Sequence, residues 1–266
     1  YDPANFSFSY SRSLNKQQSP ITEYATVKDW RLQAEYDFIP KVQPFEPFKN
    51  LNYFKWVNFN VLPNSINISS DIIRNYQEIR LRNLMQDSGQ NFLTFSRNFF
   101  WDRNLSVTWD LTRNLKLAFR SGTLAEIEEP YLQVNRQINR SDYDIWKDSV
   151  VQSIADMGRP LNYEQSTNIT YTLPFTNIPF LNWINSGASY NSSYRWERGA
   201  FIEDESIGNY LNNDLMLNIN SRLNFASLYN KSPIRNININ LSYRTRTDLP
   251  GYSPEIGDFF GQHSSS

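Results

Sequence analysis

Two acidic runs hold the residue types that could do chemistry: Glu126, Glu128 and Glu129, and Glu203, Asp204 and Glu205. Clustered carboxylates are hard oxygen donors of the kind calcium takes. Both runs fall in segments that pattern as loops, where acids solvated by water are the simpler reading, so no metal site is assigned to them. The sole histidine, His263, lies in a polar tail, which leaves no histidine-centred triad and no multi-histidine metal site. Cysteine is absent, removing disulfides, thiolate nucleophiles and cysteine metal sites together. No glycine loop cradles a phosphate. The sequence therefore assigns no catalytic, cofactor-binding or metal residue and predicts a protein that is not an enzyme.

What the elements must position is instead a surface. From Asn209 to Ala226, Leu211, Leu215, Leu217, Ile219, Leu223 and Phe225 share one parity, while Asn212, Asp214, Asn218, Asn220, Arg222 and Asn224 share the other. Side chains alternate across a strand, so this is a strand with one oily face and one wet face. At roughly 18 residues it is far longer than the ~5–6 usual in soluble sheets, and it suits a tilted membrane strand with ~9–11 residues in hydrocarbon.

Composition agrees with alternation. Aromatics make up 15% of the 266 residues and Asn about one in eight, yet the mean hydropathy is −0.60. Much apolar surface is carried without any run of the ~18 apolar residues a membrane helix needs. The opening YDPANFSFSY lacks the basic and apolar regions of a signal peptide, so any export signal is expected upstream. Formal charge is −1, with 26 Lys+Arg against 27 Asp+Glu, and no basic block offers support for nucleic-acid binding.

Further strands follow along the chain. Phe6, Phe8 and Tyr10 alternate with serines, and Leu32, Ala34, Tyr36 and Phe38 with polar residues. Pro40, Pro44 and Pro47 then mark an extended loop or edge, because proline removes a ladder donor. Val57, Phe59 and Val61, the turn residues Pro63 and Asn64, and Ile66 and Ile68 predict a tight hairpin. Residues 65–82 predict a strand with a bulge or register change at Ile72 and Ile73. Leu105, Val107, Trp109 and Leu111 pair with Leu115, Leu117 and Phe119 across a turn short enough for the periplasmic end of a barrel. Ile169 to Leu173, Ile184 to Trp196 and Ile237 to Tyr243 complete a count of about eleven strands.

One loop is long, about 126–162, and falls at the opposite end of the strands. Within it Ser141 and Asp144 resemble a capping box. Trp146, Val150 and Ile154 recur at helical spacing before Gly158 and Pro160, predicting one short helix of about four turns. Its apolar stripe is expected to pack on the barrel mouth or a neighbouring domain.

Trp30, Trp56, Trp101, Trp109, Trp183 and Trp196 sit at or near strand ends, as the aromatic girdles of an outer-membrane barrel do. The Asn- and Ser-rich second faces suit a wide, hydrated, weakly charged lumen. The fold class expected is all-β: an antiparallel transmembrane β-barrel segment spanning 1–266. Open edges are not tolerated in lipid, so the odd strand count predicts one arc of a larger barrel whose other strands come from further sequence. A soluble sandwich is the competing reading.

Several segments resemble a known family. Residues 59–83, FNVLPNSINISSDIIRNYQEIRLRN, with Arg74, Tyr76, Glu78, Leu81, Arg82 and Asn83, are similar to a hairpin of the SprA (Sov) proteins, the outer-membrane translocon of the type IX secretion system. Residues 109–130, WDLTRNLKLAFRSGTLAEIEEP, resemble the family's next hairpin and acidic-proline exit. Residues 171–199, with Pro174, Pro179, Trp183, Tyr190 and Trp196, resemble its two-proline turn and aromatic strand. LNFASLYNKSP and LPGYSPEIGDFFGQ, with Pro233, Pro250, Gly251, Gly257 and Gly261, extend the similarity over most of the chain.

The resemblance implies a very large single-chain barrel, of which bacterial examples reach 36 strands. It implies passage of folded cargo proteins to the cell surface through a gated lumen, in secretion and gliding motility, with accessory subunits that plug the lumen or receive cargo. Outer-membrane lipid and the barrel's other strands are the remaining partners. The alternatives are part of a TonB-dependent importer, a 22-strand barrel with a plug, and a secreted soluble β-protein that binds glycans through exposed aromatics.

Overall fold

A computed structural model describes residues 3–47, 57–82, 93–132, 134, 139–178, 181–199, 201–202, 205–206, 208–225 and 236–250. The strands are β1 Phe6–Gln17, β2 Thr22–Phe38, β3 Ser65–Leu81, β4 Leu93–Asp110, β5 Leu115–Glu126, β6 Arg159–Leu173, β7 Ile184–Glu197, β8 Phe201–Ile202, β9 Glu205–Ser206, β10 Tyr210–Asn224 and β11 Asn236–Pro250; the helix α1 is Arg140–Ala155. Nine strands form one antiparallel sheet in the order β1-β2-β3-β4-β5-β6-β7-β10-β11. The two-residue strands β8 and β9 pair apart from it. The fold is all-β with a single α-helix among the described residues, and no helix among them is long and apolar enough to cross a membrane.

Apart from β8 and β9, spatial order follows chain order, so each strand reverses direction and pairs with the next. Strands of 12 to 18 residues are two to three times the usual ~5–6. Among the described residues the sheet holds nine of the eleven strands, and β1 and β11 are its two edges, with no pairing between them.

Several strands are longer than their alternation suggested, for a common reason. β2 starts at Thr22 and β4 at Leu93, but Lys28, Arg97 and Arg103 fall on the oily parity and break the pattern. Each lies over an aromatic ring: Lys28 Nζ is 5.3 Å from the Tyr76 centroid, and Arg97 and Arg103 are 5.0 and 4.7 Å from Tyr131 and Trp101. Aromatic faces attract such cations electrostatically, so the charges fit an otherwise apolar face.

The expected hairpin from Val57 to Ile68 does not form. Residues 57–64 are irregular, and Phe59 makes an isolated bridge to Phe45. Asn64 is held by Asp110: its amide Nδ2 donates to Oδ2 at 3.2 Å and its Oδ1 accepts from the Asp110 backbone N–H at 2.8 Å. Ile72 and Ile73 lie within the assigned span of β3, one partly buried and the other exposed.

The long loop is shorter than expected, because β6 begins at Arg159 and takes Pro160 as its second residue, a strand-start position where proline is tolerated. The cap of α1 is Asn139, not Ser141. The Asn139 Oδ1 accepts from the amides of Ser141 and Asp142 at 3.1 and 3.3 Å; Ser141 is already inside the first turn and is one of the donors that needs capping. At the other end Gly158 N donates to Ser153 O at 2.7 Å and Met157 N to Ile154 O at 3.0 Å. This is the paired C-terminal bond of a Schellman motif. Met157 and Gly158 both have positive φ, 64° and 71°, and a Cβ on Gly158 would stand 3.0 Å from the Glu126 carbonyl oxygen.

The residues group into two compact units: Tyr1–Tyr36, Ser69–Arg103 and Thr123–Leu161 in the first, and Asp37–Ile68, Asn104–Gly122 and Asn162–Ser266 in the second. In the first, Phe99, Ile127 and Val150 form a buried core against which Trp30, Ile72, Trp101 and Trp146 pack. In the second, Tyr194, Trp196 and Leu211 are buried with Tyr163 beside them.

Candidate functional site: a two-faced sheet

Cross-strand register in β6, β7, β10 and β11 turns the alternation of each strand into continuous rows. One face carries Ile169, Tyr190, Leu217 and Tyr243 side by side, then Tyr171, Ala188, Ile219 and Leu241, then Leu173, Ser186, Ser221 and Ile239, then Ile184, Leu223 and Ile237. Several of these side chains are open to the surroundings: Leu217 is 36% exposed, Ile219 39%, Ile239 43% and Leu241 62%. A soluble sheet buries such a face against another layer. Here it forms a broad apolar surface of the kind that marks a membrane or protein contact.

Two serines interrupt the apolar rows, and they satisfy each other. Ser186 and Ser221 are register partners; their Oγ atoms lie 2.6 Å apart, and Ser186 Oγ also donates to the Asn220 carbonyl at 3.2 Å. A hydroxyl without a partner is costly in an apolar medium. The pairing removes that cost without introducing any group that needs water.

The opposite face is polar row by row. Thr170, Ser189, Asn218 and Ser242 align, followed by Thr172, Gly187, Asn220 and Asn240. In the other direction come Asn168, Asn191, Met216 and Arg244, then Ser166, Ser193, Asp214 and Arg246, then Glu164, Arg195, Asn212 and Asp248. Asn168 and Asn191 are hydrogen-bonded across the strands. Arg244 Nε donates to both Asp214 oxygens at 3.1 and 3.2 Å, Arg246 pairs with Asp248 at 3.1 Å, and Arg195 with Glu164 at 3.4 Å and with Glu197. Such exposed pairs add little stability, but they neutralise the surface locally. A Cβ on Gly187 would approach Asn220 Oδ1 to 3.1 Å, so glycine lets that amide lie close to the sheet.

At one end of the second unit the aromatics are placed as an interfacial belt would be. Trp183 stacks at a tilt on Phe225 with centroids 5.5 Å apart, Trp109 Nε1 donates to the Asn60 carbonyl at 2.9 Å, and Tyr171 is exposed. Three other tryptophans depart from the girdle expectation. Trp196 belongs to the buried cluster with Tyr194 and Leu211, while in the first unit Trp30 and Trp101 pack against the Phe99 core. Their bulk fills protein interiors, and Trp101 Nε1 donates to Ser70 Oγ at 2.8 Å. Trp56 lies outside the described residues.

The acidic run at Glu126 to Glu129 is not a set of solvated loop acids. Glu128 pairs with Arg159 at 3.2 Å, but Glu129 is buried, with its side chain 2% exposed and 2.8 Å from Arg74, itself 8% exposed. Trp146 Nε1 donates to the same Glu129 Oε1 at 2.7 Å, and the Arg74 guanidinium lies 5.1 Å from the Trp146 ring and 5.8 Å from Phe99. This ion pair ties α1 and its loop to β3. Its sequence signal is Arg74 standing on the buried parity of β3 beside Tyr76 and Glu78, where a charge demands a partner. Glu78 is likewise buried and accepts from Tyr24 Oη at 2.6 Å and Tyr76 Oη at 2.9 Å.

No group of three metal-ligating side chains occurs among the described residues. Glu203, Asp204 and His263 lie outside them, as do Pro179, Pro233, Gly251, Gly257 and Gly261; the described Glu205 is in β9. The surface chemistry is thus a registered apolar face backed by a polar face of amides and hydroxyls. Compared with known proteins, the chain matches no family model and no curated relative.

Proposed function

We propose that the chain is a wall segment of a large outer-membrane β-barrel, and that this barrel is the SprA (Sov)-type translocon of the type IX secretion system, conducting folded cargo proteins to the cell surface. The observation that carries the barrel reading is the registered two-faced sheet, with exposed Leu, Ile and Tyr on one side and Asn, Ser and Thr on the other. From Leu215 to Phe225 the oily parity spans ten steps of β10 and its continuation, roughly 34 Å at ~3.4 Å per residue. At the ~35–45° tilt of outer-membrane strands this projects to about 25 Å, the height of their apolar band. The self-paired serines and the aromatics at the strand ends fit the same medium.

In this reading the apolar face meets lipid and the polar face lines the lumen. The edges at β1 and β11 continue into further strands of the same chain, since unpaired edges are not stable in hydrocarbon. The translocon assignment rests on the sequence resemblance, and with it come secreted cargo and accessory subunits that plug the lumen or receive cargo. The segment acts as a conduit without covalent chemistry.

The test is an immunoblot of fractionated native cells with antiserum to this segment. The translocon predicts an outer-membrane band several times the segment's 31.3 kDa. A band of intermediate size would favour a TonB-dependent importer, and a soluble band near the segment's own mass would exclude both barrels.

A further inference from the structure

The polar face has a charge pattern that goes further than wetness. Across β6, β7, β10 and β11, two adjacent rows contain no ionisable group at all: Thr170, Ser189, Asn218 and Ser242, then Thr172, Gly187, Asn220 and Asn240. Beyond them on one side the charges come as opposites in contact: Arg244 with Asp214, Arg246 with Asp248, and Arg195 with Glu164 and Glu197; on the other side stands the row Asn185, Arg222 and Asn238. Counting Arg222, this face of the four strands carries four guanidinium groups and four carboxylates among its described residues within Asn162–Asn224 and β11.

We propose that this face is a sliding surface for folded polypeptide that is indifferent to the sign of the polypeptide's charge. The inference rests on the conduit reading and specifies what the conduit accepts. A wall of one sign would concentrate cargo of the opposite sign and repel cargo of its own. An apolar wall would hold any exposed apolar patch. Amides and hydroxyls merely exchange hydrogen bonds with water, at little net gain, and transit demands contacts weak enough to leave. Neutral rows, with guanidinium groups and carboxylates in equal number around them, present the same weak field to acidic and basic surfaces alike.

The experiment uses the full-length protein in native cells. This stretch contains no cysteine, so Asn218→Cys and Ser242→Cys each place one thiol in a neutral row. After assembly the thiol is modified with a methanethiosulfonate bearing either a trimethylammonium or a sulfonate group, which separates charge from folding. The readout is release of one folded reporter cargo in an acidic and a basic surface version. Unmodified protein is expected to release both at rates within about twofold. The cationic adduct should shift the acidic-to-basic release ratio by about tenfold and the anionic adduct should shift it the other way, the scale of electrostatic effects on encounter rates. A ratio unchanged by either adduct, or a tenfold preference before modification, overturns the inference and leaves the conduit standing. Failure of both thiols to react with these membrane-impermeant reagents overturns the conduit reading and the inference together.

Discussion

Two patches of the oily parity, one in each compact unit, have opposite fates. The first carries Lys28, Arg74 and Glu78, and the Arg74 and Glu129 side chains are 8% and 2% exposed beneath α1. The second carries Leu217, Ile219, Ile239 and Leu241, between 36% and 62% exposed, and its serines bond to each other. Parity decides which side chains share a face; it does not decide what covers that face. In the first patch the charges Arg74 and Glu78 are buried among partners that the protein supplies. The exposed rows of the second patch carry no charge on this parity.

Four sets of substitutions test that contrast, beginning with the largest effect. Glu129→Ala leaves Arg74 buried beside aromatic rings without its carboxylate, and is expected to destabilise the first unit by about 3–5 kcal/mol. Chemical denaturation should show it, together with faster proteolysis near α1. The double change Arg74→Met with Glu129→Leu should lose much less, because no uncompensated charge remains. A loss below about 1 kcal/mol for Glu129→Ala would mean the first unit is not sealed.

In the second unit the barrel reading predicts that Leu217→Arg and Ile219→Arg each cost about 2–4 kcal/mol for folding of the full-length protein into lipid vesicles, the penalty of a cation facing the bilayer midplane. Asn218→Arg, one residue away on the other face, should stay within about 0.5 kcal/mol. Equal effects at the three positions would erase the distinction between the faces. Ser186→Ala should cost roughly 1–3 kcal/mol in the same folding assay by leaving the Ser221 hydroxyl unpaired, while the double alanine change should be close to neutral. The smallest of the four is Asn139→Ala, about 1 kcal/mol from the lost cap, read as faster hydrogen exchange at the Ser141 and Asp142 amides.

Legibility in the sequence follows the same contrast. β10 is plain because every Leu and Ile in it falls on an odd position, while Asp, Arg and all its Asn but Asn213 fall on even ones. The first halves of β2 and β4 are hidden, because Lys28, Arg97 and Arg103 are stabilised by rings that lie elsewhere in the fold. The false hairpin at 57–68 arose from a local turn signal, Pro63 and Asn64, whose asparagine is committed to Asp110 across the fold. The burial of Glu129 could not be read from its acidic neighbours, since Arg74 and Trp146 come from separate elements. Of the surface proposed to matter, both faces were visible; the row-by-row alignment that makes them continuous required the register.

The most direct test of the central claim is cysteine scanning through β10 in the full-length protein in intact outer membranes, with single thiols placed from Leu215 to Leu223 and probed with a membrane-impermeant maleimide. A strand with one face in lipid and one in water predicts a period of two: Met216→Cys, Asn218→Cys, Asn220→Cys and Arg222→Cys react, whereas Leu217→Cys, Ile219→Cys and Ser221→Cys stay protected until detergent is added. Uniform reactivity along the strand, or the inverse parity, would contradict the account.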